Sequence, residues 1–308
     1  MRKTFRTAAY LTTSFLLGAV SIAAFSFRDI DTAEEPIRIT EERKVQYKWY
    51  APELPKTLTF AGEKVPLHRH DVQEALDREL LYNFYNQSST IRILKLSERW
   101  FPVIEPILKA NGIPEDFKYL CIAESALQNQ TSRAGAVGFW QFMPRTAPEF
   151  GLEVSDDVDE RYNVVKSTEA AVKYFKQAYQ RFGSWTVAAA TYNMGQGGFN
   201  GRATHQKQDD YYNLLLPEET MRYVHRILAF KLLVGQPEHY GYFVPKSERY
   251  QPLKTKKITV SKSIHDLADF AIEQGTDYRT LKELNPWLRD KKLTIRSGKE
   301  YIIELPAS

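Results

Sequence analysis

The chain has little of what most metal, redox and nucleic-acid chemistry requires. Only one of its 308 residues is a cysteine, Cys121, so neither an intramolecular disulfide nor a cysteine-based metal cage can form. Since Cys121 stands in an apolar run, we expect a small buried hydrophobe rather than a nucleophile. The net charge of +4 is too small to indicate nucleic acid, although it suits a polyanionic wall polymer or a membrane surface. We therefore predict no metal, no cofactor and no nucleic-acid partner.

The N-terminus has the layout of an export signal. Basic residues at positions 2, 3 and 6 precede a run from Ala8 to Phe25 that contains no charged residue. We predict that residues 1–26 direct export. The run is long for a signal peptide, so a cleaved signal and a retained membrane anchor both remain open.

The rest of the chain divides into three parts. Residues 27–67 mix charges and prolines without a sustained period, which predicts a linker. Residues 68–250 show apolar residues at helical spacing and predict a helical domain. Residues 257–306 read as strand, two short helices and a second strand. The predicted fold class is therefore mainly α, with a small β-α-α-β module at the C-terminus.

Two details of the helical domain can be predicted as well. A strongly amphipathic helix is expected to open at Ser167 and to end at Gly183. Pro102 and Pro106 are expected to bend or break an earlier helix.

Glu124 is the sharpest chemical clue in the sequence. It continues an apolar helical stripe formed by Ile113, Phe117, Leu120 and Cys121. Burial disfavours a charged carboxylate and raises its pKa, which keeps a glutamic acid protonated for general acid catalysis. From this position alone, a merely structural glutamate satisfied by arginine or backbone N–H groups is the better interpretation.

The residues after Glu124 favour the catalytic interpretation. Glu124-Ser125 is followed by Ser132 and then by Gly-Ala-Val-Gly-Phe-Trp-Gln-Phe-Met-Pro-Arg-Thr-Ala over residues 135–147. We expect a helix from near Gly138 to project Gln141 and Met143 from its early turns. This arrangement closely resembles the signature of the lysozyme-like soluble-lytic-transglycosylase (SLT) domain.

Three further motifs extend the resemblance in the order that the family has them. Residues 159–171, 190–195 and 219–224 resemble its Asp-x-Arg…Ser-Thr-x-Ala-Ala, Ala-Tyr-Asn-x-Gly and Glu-Thr-x-x-Tyr-Val segments, so the likeness covers about residues 105–235. It implies an enzyme of the periplasm or cell envelope that cuts peptidoglycan glycan strands.

The resemblance also implies residue roles. Glu124 would protonate the oxygen between N-acetylmuramic acid and N-acetylglucosamine, then act as base while the muramyl 6-hydroxyl closes a 1,6-anhydro ring. The expected substrate-binding residues are Ser125, Ser132, Gln141, Met143, Tyr192, Asn193, Glu219 and Tyr223. Structural alternatives stay open for four of them: helix capping for Ser125, helix-dipole stabilisation for Glu219, and core packing for Tyr192 and Tyr223.

No second carboxylate stands at a matching place beside Glu124. Asp156, Asp157, Asp159 and Glu160 lie in a polar loop and are expected to be solvated. Ordinary glycosidases need a carboxylate pair, so a single glutamate favours a transglycosylase. A hydrolytic muramidase similar to goose-type lysozyme and a non-catalytic peptidoglycan-binding protein are the alternatives.

Residues 257–306 resemble a LysM carbohydrate-binding module. The first loop, Ser261-Lys262-Ser263, departs from the family's usual Gly-Asp-Thr type turn, so sugar binding by the module remains open. Trp287 could stack on a sugar or cover the small core.

Overall fold

The computed structural model describes residues 50–307, and the predicted export segment (1–26) lies outside them. The helices are α1 (His70–Tyr85), α2 (Gln87–Ala110), α3 (Phe117–Ser125), α4 (Val164–Phe182), α5 (Trp185–Met194), α6 (Gln196–Gln206), α7 (Glu218–Gly235), α8 (Leu267–Glu273) and α9 (Tyr278–Leu284). The strands are β1 (Thr59–Phe60), β2 (Glu63–Lys64), β3 (Thr255–Val260) and β4 (Tyr301–Pro306). Within residues 50–307, no helix combines the length and apolar character needed to cross a bilayer.

The predicted fold class is confirmed, with differences at individual helices. Helix α4 begins at Val164 rather than at Ser167, because the Asn163 side chain caps it by accepting a hydrogen bond from the Lys166 amide. Helix α2 runs without a break through Pro102 and Pro106.

Helix α7 organises the main core. It packs against α1, α3 and α5, and its fully buried side chains include Val224, Ile227 and Leu228. These residues recur at spacings of three and four, which places them on one face of the helix. Helix α7 thereby brings Tyr223 beside the C-terminal end of α3, where Glu124 lies.

The end of the predicted linker is part of the folded domain. Phe60 is fully buried and its ring packs 5.3 Å from the ring of Phe117. Glu63 lies at the N-terminus of α5, where its carboxylate accepts hydrogen bonds from the amides of Trp185 and Thr186 at 2.6 and 2.9 Å. The remaining predicted linker residues, 27–49, lie outside the described part of the chain.

The C-terminal module forms the predicted β-α-α-β unit. Strands β3 and β4 pair antiparallel, with Ile258 opposite Ile303, and α8 and α9 lie between them in sequence. Trp287 is 4% exposed and stacks on Tyr301 with ring centroids 5.5 Å apart. Of the two interpretations of Trp287, the structure therefore supports the one in which it covers the core of the module.

The module is docked on a loop of the helical domain, residues 153–162. Val158 is 1% exposed and belongs to the module's core, where it pairs with Leu288 in an isolated antiparallel bridge. The Asp159 amide donates to the Trp287 carbonyl at 2.9 Å, and the Arg289 amide donates to the Asp157 carbonyl at 2.8 Å. A residue of the helical domain thus completes the small core of the module.

Replacing Glu63 with Ala is expected to destabilise the protein by about 2 kcal/mol, because four donors at the start of α5 lose a charged acceptor. Chemical denaturation of Glu63→Ala beside Glu74→Ala measures this difference. Glu74 is an exposed glutamate of α1 with no ion pair among residues 50–307. Equal unfolding free energies for the two variants would contradict the capping role.

Candidate active site

Glu124 lies in the last turn of α3, immediately before a strained stretch of backbone. Ala126 and Leu127 both adopt positive φ angles, 51° and 58°, which L residues seldom do. Each such residue costs about 1–2 kcal/mol, so packing must hold the turn in place. Leu127 supplies that packing, since its side chain is buried in the core.

The Glu124 carboxyl is only partly exposed, and its surroundings favour the protonated form. Burial raises its pKa from the ordinary 4.5 to about 7. The Tyr223 hydroxyl donates a short hydrogen bond to Oε1 and lowers the pKa in part, as does the positive charge of Arg226. The negative charge of Glu219 raises it. Near neutral pH the group can therefore both give and take a proton.

Tyr223 and Arg226 lie one helical turn apart on α7, and only Tyr223 was predicted from the sequence. Arg226 is held by Glu79, a fully buried carboxylate of α1, with Nε 3.4 Å from Oε2. Arg222 contacts the other oxygen of Glu79 at 2.6 Å. Glu79 thus keeps Arg226 paired with a group other than Glu124. The spacing of three residues between Tyr223 and Arg226 could have placed both on one face of the helix. The buried partner of Arg226, Glu79, could not be predicted because it lies 147 residues away in the sequence.

The Ala-Thr-Tyr-Asn-Met-Gly segment on α5 contributes two side chains. Tyr192 donates to the Trp140 carbonyl at 2.7 Å, and the pKa of Tyr192 is raised well above its ordinary value by burial and by the negative charge of Glu124. Asn193 accepts from the Thr220 hydroxyl at 2.7 Å and lies 3.4 Å from Glu219. Glu219 is exposed in the first turn of α7, where the helix dipole favours negative charge.

The segment from Gly135 to Phe142 forms turns, so the helix predicted near Gly138 is wrong. Two antiparallel bridges, Thr131 with Val137 and Val137 with Phe142, fold it back on itself. Gln141 has a φ of 49°, and its side-chain amide donates to the carbonyls of Gly138 and Gln130 at 2.7 and 3.1 Å. Such strain in a residue with polar groups is typical of functional sites.

The other three predicted substrate-binding residues are Ser125, Ser132 and Met143. Ser125 is 3% exposed and its hydroxyl donates to the Cys121 carbonyl at 3.1 Å, so it belongs to the helix and not to an open surface. Ser132 is exposed and accepts from the Ala136 amide at 3.0 Å, which closes a turn. Met143 is 40% exposed.

Asp159 is not solvated, contrary to the prediction from sequence. It is buried and binds Arg161 through both carboxylate oxygens, at 2.9 and 2.7 Å. The other terminal nitrogen of Arg161 donates to the carbonyls of Gly135 and Phe142 at 3.1 and 3.2 Å. The carbonyl of Arg161 lies against Gly138, where a Cβ atom would come within 2.0 Å of it. The pair therefore fixes both ends of the segment that carries Gln141.

Two cavities lie elsewhere in residues 50–307. One, of about 460 Å³, is lined by residues of α1, α7 and the 211–214 turn, including Tyr212 and His225. The other, of about 510 Å³, is lined by the first loop of the C-terminal module and by α8. Glu124 lines neither of them. Among the described residues, no group of three or more His, Cys, Asp or Glu side chains is placed to hold a metal ion.

Two regions of the chain match known protein families, and the first of them includes part of this site. Residues 102–215 match the family described as the transglycosylase SLT domain, and residues 256–308 match the soluble lytic transglycosylase C-terminal LysM-like domain. The first match includes Glu124 and the Gly135–Phe142 segment. The chain is thus similar to both kinds of domain that the sequence motifs resemble.

Similar proteins include the membrane-bound lytic murein transglycosylase D of Escherichia coli (strain K12) and that of Escherichia coli O6:H1. Each is 28% identical over 253 residues, or 79% of this chain and 54% of the relative. The chain therefore spans about half the length of these curated relatives. Among solved structures, an inactive mutant of lytic transglycosylase Slt from Pseudomonas aeruginosa is 23% identical, with a TM-score of 0.38. The match covers 50% of this chain and 26% of the Slt chain.

Replacing Glu124 with Gln is expected to remove a pH dependence of stability. The free energy of unfolding of Glu124→Gln, relative to that of the parent, should be higher at pH 8 than at pH 4. The folded-state pKa of about 7 exceeds the ordinary 4.5, so the parent loses stability as pH rises through this window. One pKa unit is about 1.4 kcal/mol, which sets an upper limit of about 3 kcal/mol for this partly exposed group. Urea denaturation of both proteins across pH 4–8 measures the difference. Parallel stability curves would show that the carboxyl has no raised pKa.

Proposed function

We propose that this chain is an exported peptidoglycan lytic transglycosylase. It cleaves the β-1,4 bond between N-acetylmuramic acid and N-acetylglucosamine and leaves 1,6-anhydro ends, with Glu124 as the catalytic residue. The observation that carries the proposal is the Glu124 carboxyl, which lies within the region that matches the SLT domain, has a pKa of about 7 and accepts a hydrogen bond from Tyr223.

In the proposed reaction Glu124 acts twice. Its protonated form gives a proton to the glycosidic oxygen as the bond to C1 of N-acetylmuramic acid breaks. The resulting carboxylate then takes the proton of the muramyl 6-hydroxyl, and that oxygen bonds to C1. The glutamic acid is regenerated and no water is consumed. Tyr223, whose own pKa is raised well above its ordinary value, stays protonated and supports the carboxylate.

The remaining polar groups have roles in substrate binding in this proposal. Asn193, Glu219 and the amide oxygen of Gln141 would form hydrogen bonds with the sugar hydroxyl and acetamido groups. Tyr192 would hold the Trp140 carbonyl, which precedes Gln141, in place. Residues 1–26 would deliver the chain to the periplasm or envelope, as a cleaved signal or a membrane anchor.

Hydrolysis is the second candidate reaction, and it is favoured by the presence of a second carboxylate, Glu219, near Glu124. Its charge acts on Glu124, so two carboxylates influence one site. A carboxylate that activates water would yield new reducing ends instead of anhydro ends.

Mass spectrometry of muropeptides released from sacculi decides between the two reactions. We expect anhydro products from the parent protein and a loss of at least about 1,000-fold in rate for Glu124→Gln, since the amide cannot transfer the proton. Reducing-end products would assign the hydrolytic reaction. Undiminished digestion by Glu124→Gln would show that another residue is catalytic.

Replacing Tyr223 with Phe is expected to move the alkaline limb of kcat/KM to higher pH. In the parent, the hydrogen bond from Tyr223 stabilises the charged carboxylate and lowers the pKa of Glu124. Its loss therefore raises that pKa above about 7, and Glu124 stays protonated up to a higher pH. Rate profiles over pH 4–9 measure this shift. Tyr192→Phe is the matched control, because its hydroxyl binds the Trp140 carbonyl and not Glu124. A limb that moves to lower pH in Tyr223→Phe would contradict the assignment.

A further inference from the structure

We infer that the C-terminal module is a positioning element of the active site, which holds the Gly135–Phe142 segment in place through the 153–162 loop. The expected loss of activity rests on the proposed function. The expected loosening of the Gly135–Phe142 segment rests on the contacts alone. A module that only carries the enzyme to the cell wall would need no such connection.

The first step of the connection is the docking contact between module and loop. Val158 lies in the core of the module. Around it, the Thr294 amide donates to Asp157 at 2.9 Å, and the Tyr301 hydroxyl donates to Glu153 at 2.8 Å. Lys299 forms a short ion pair with the same Glu153 carboxylate. The loop is therefore fixed by apolar burial, backbone pairing and charge together.

The second step leads from the loop to the Gly135–Phe142 segment. Asp159, whose amide is bonded to the module, binds the guanidinium of Arg161 with both carboxylate oxygens. Since Asp159 and Arg161 are both buried, this pair has little freedom to rearrange. Arg161 in turn binds the carbonyls of Gly135 and Phe142.

A parallel connection passes through Tyr162. The guanidinium of Arg289, in the module, lies 4.0 Å above the centre of the Tyr162 ring. The Tyr162 hydroxyl is 3.0 Å from that of Thr131, and its carbonyl accepts from the Asn129 side chain at 3.0 Å. Both connections thus end on residues 129–142, the stretch that follows Glu124 and holds Gln141 in its left-handed conformation.

The test uses the full chain with Val158→Asp, which puts a charge into the core of the module. Whether the module undocks or unfolds, the loop loses its support. Arg279→Ala/Glu283→Ala is the matched control, because it removes an exposed ion pair from α9 of the same module. Arg289→Ala is a milder variant, which removes the contact with Tyr162 and a hydrogen bond to the Pro286 carbonyl within the module, and leaves Val158 in the core of the module.

Two measurements decide the outcome. By hydrogen exchange, Val158→Asp should expose the Asp159 amide and also speed exchange of the Val137 and Gly138 amides, which are bonded within residues 129–142. On short soluble glycan strands, which need no wall binding, kcat should fall about tenfold or more, since small misplacements of binding groups are costly. Arg289→Ala should show smaller changes of the same sign, and the control should match the parent.

The inference is wrong if Val158→Asp exposes the Asp159 amide yet leaves the Val137 and Gly138 amides protected and kcat on soluble strands unchanged. Activity lost on sacculi alone would assign the module to wall binding. An Asp159 amide that stays protected would contradict the burial of Val158 on which the inference depends. If the parent itself cuts neither substrate, the proposed function fails, and hydrogen exchange still tests the positioning role.

Discussion

The proposed chemistry depends on one contact, the hydrogen bond that the Tyr223 hydroxyl donates to the Glu124 carboxyl. Burial alone would make Glu124 a permanent acid, and a close permanent cation would make it a permanent carboxylate. The structure lies between these limits. Tyr223 and the charge of Arg226 oppose burial, while Glu79 keeps Arg226 in a separate ion pair. The balance leaves a pKa of about 7, which suits a group that must give a proton and take one back.

A second set of contacts fixes the backbone around that carboxyl. The buried Asp159–Arg161 pair holds both ends of the Gly135–Phe142 segment, and the C-terminal module holds Asp159. Gln141, whose φ is positive, lies within the segment that these contacts hold. The helical domain and the C-terminal module are therefore connected by non-covalent contacts through the 153–162 loop, in addition to the polypeptide chain.

The sequence predicted the fold class, the β-α-α-β module and the placing of Glu124 on an apolar face, because each follows from spacing along a single element. It failed where distant residues decide the conformation. Asp159 looked solvated because its partners, Arg161 and the docked module, cannot be seen in a polar loop. Helix α6 was not predicted, since three glycines in eleven residues give no helical signal. Similarly, the turn that replaces a helix after Gly138 is imposed by Arg161.

The most direct test of the central claim is the titration of the Glu124 carboxyl itself, followed by carbon-13 NMR in protein labelled at glutamate side chains, with Glu124→Gln to assign the resonance. The account predicts a midpoint near pH 7 for this carboxyl. A midpoint near the ordinary 4.5 would mean that the carboxyl is solvated and ionised at neutral pH, and the assignment of Glu124 as the catalytic acid would not stand.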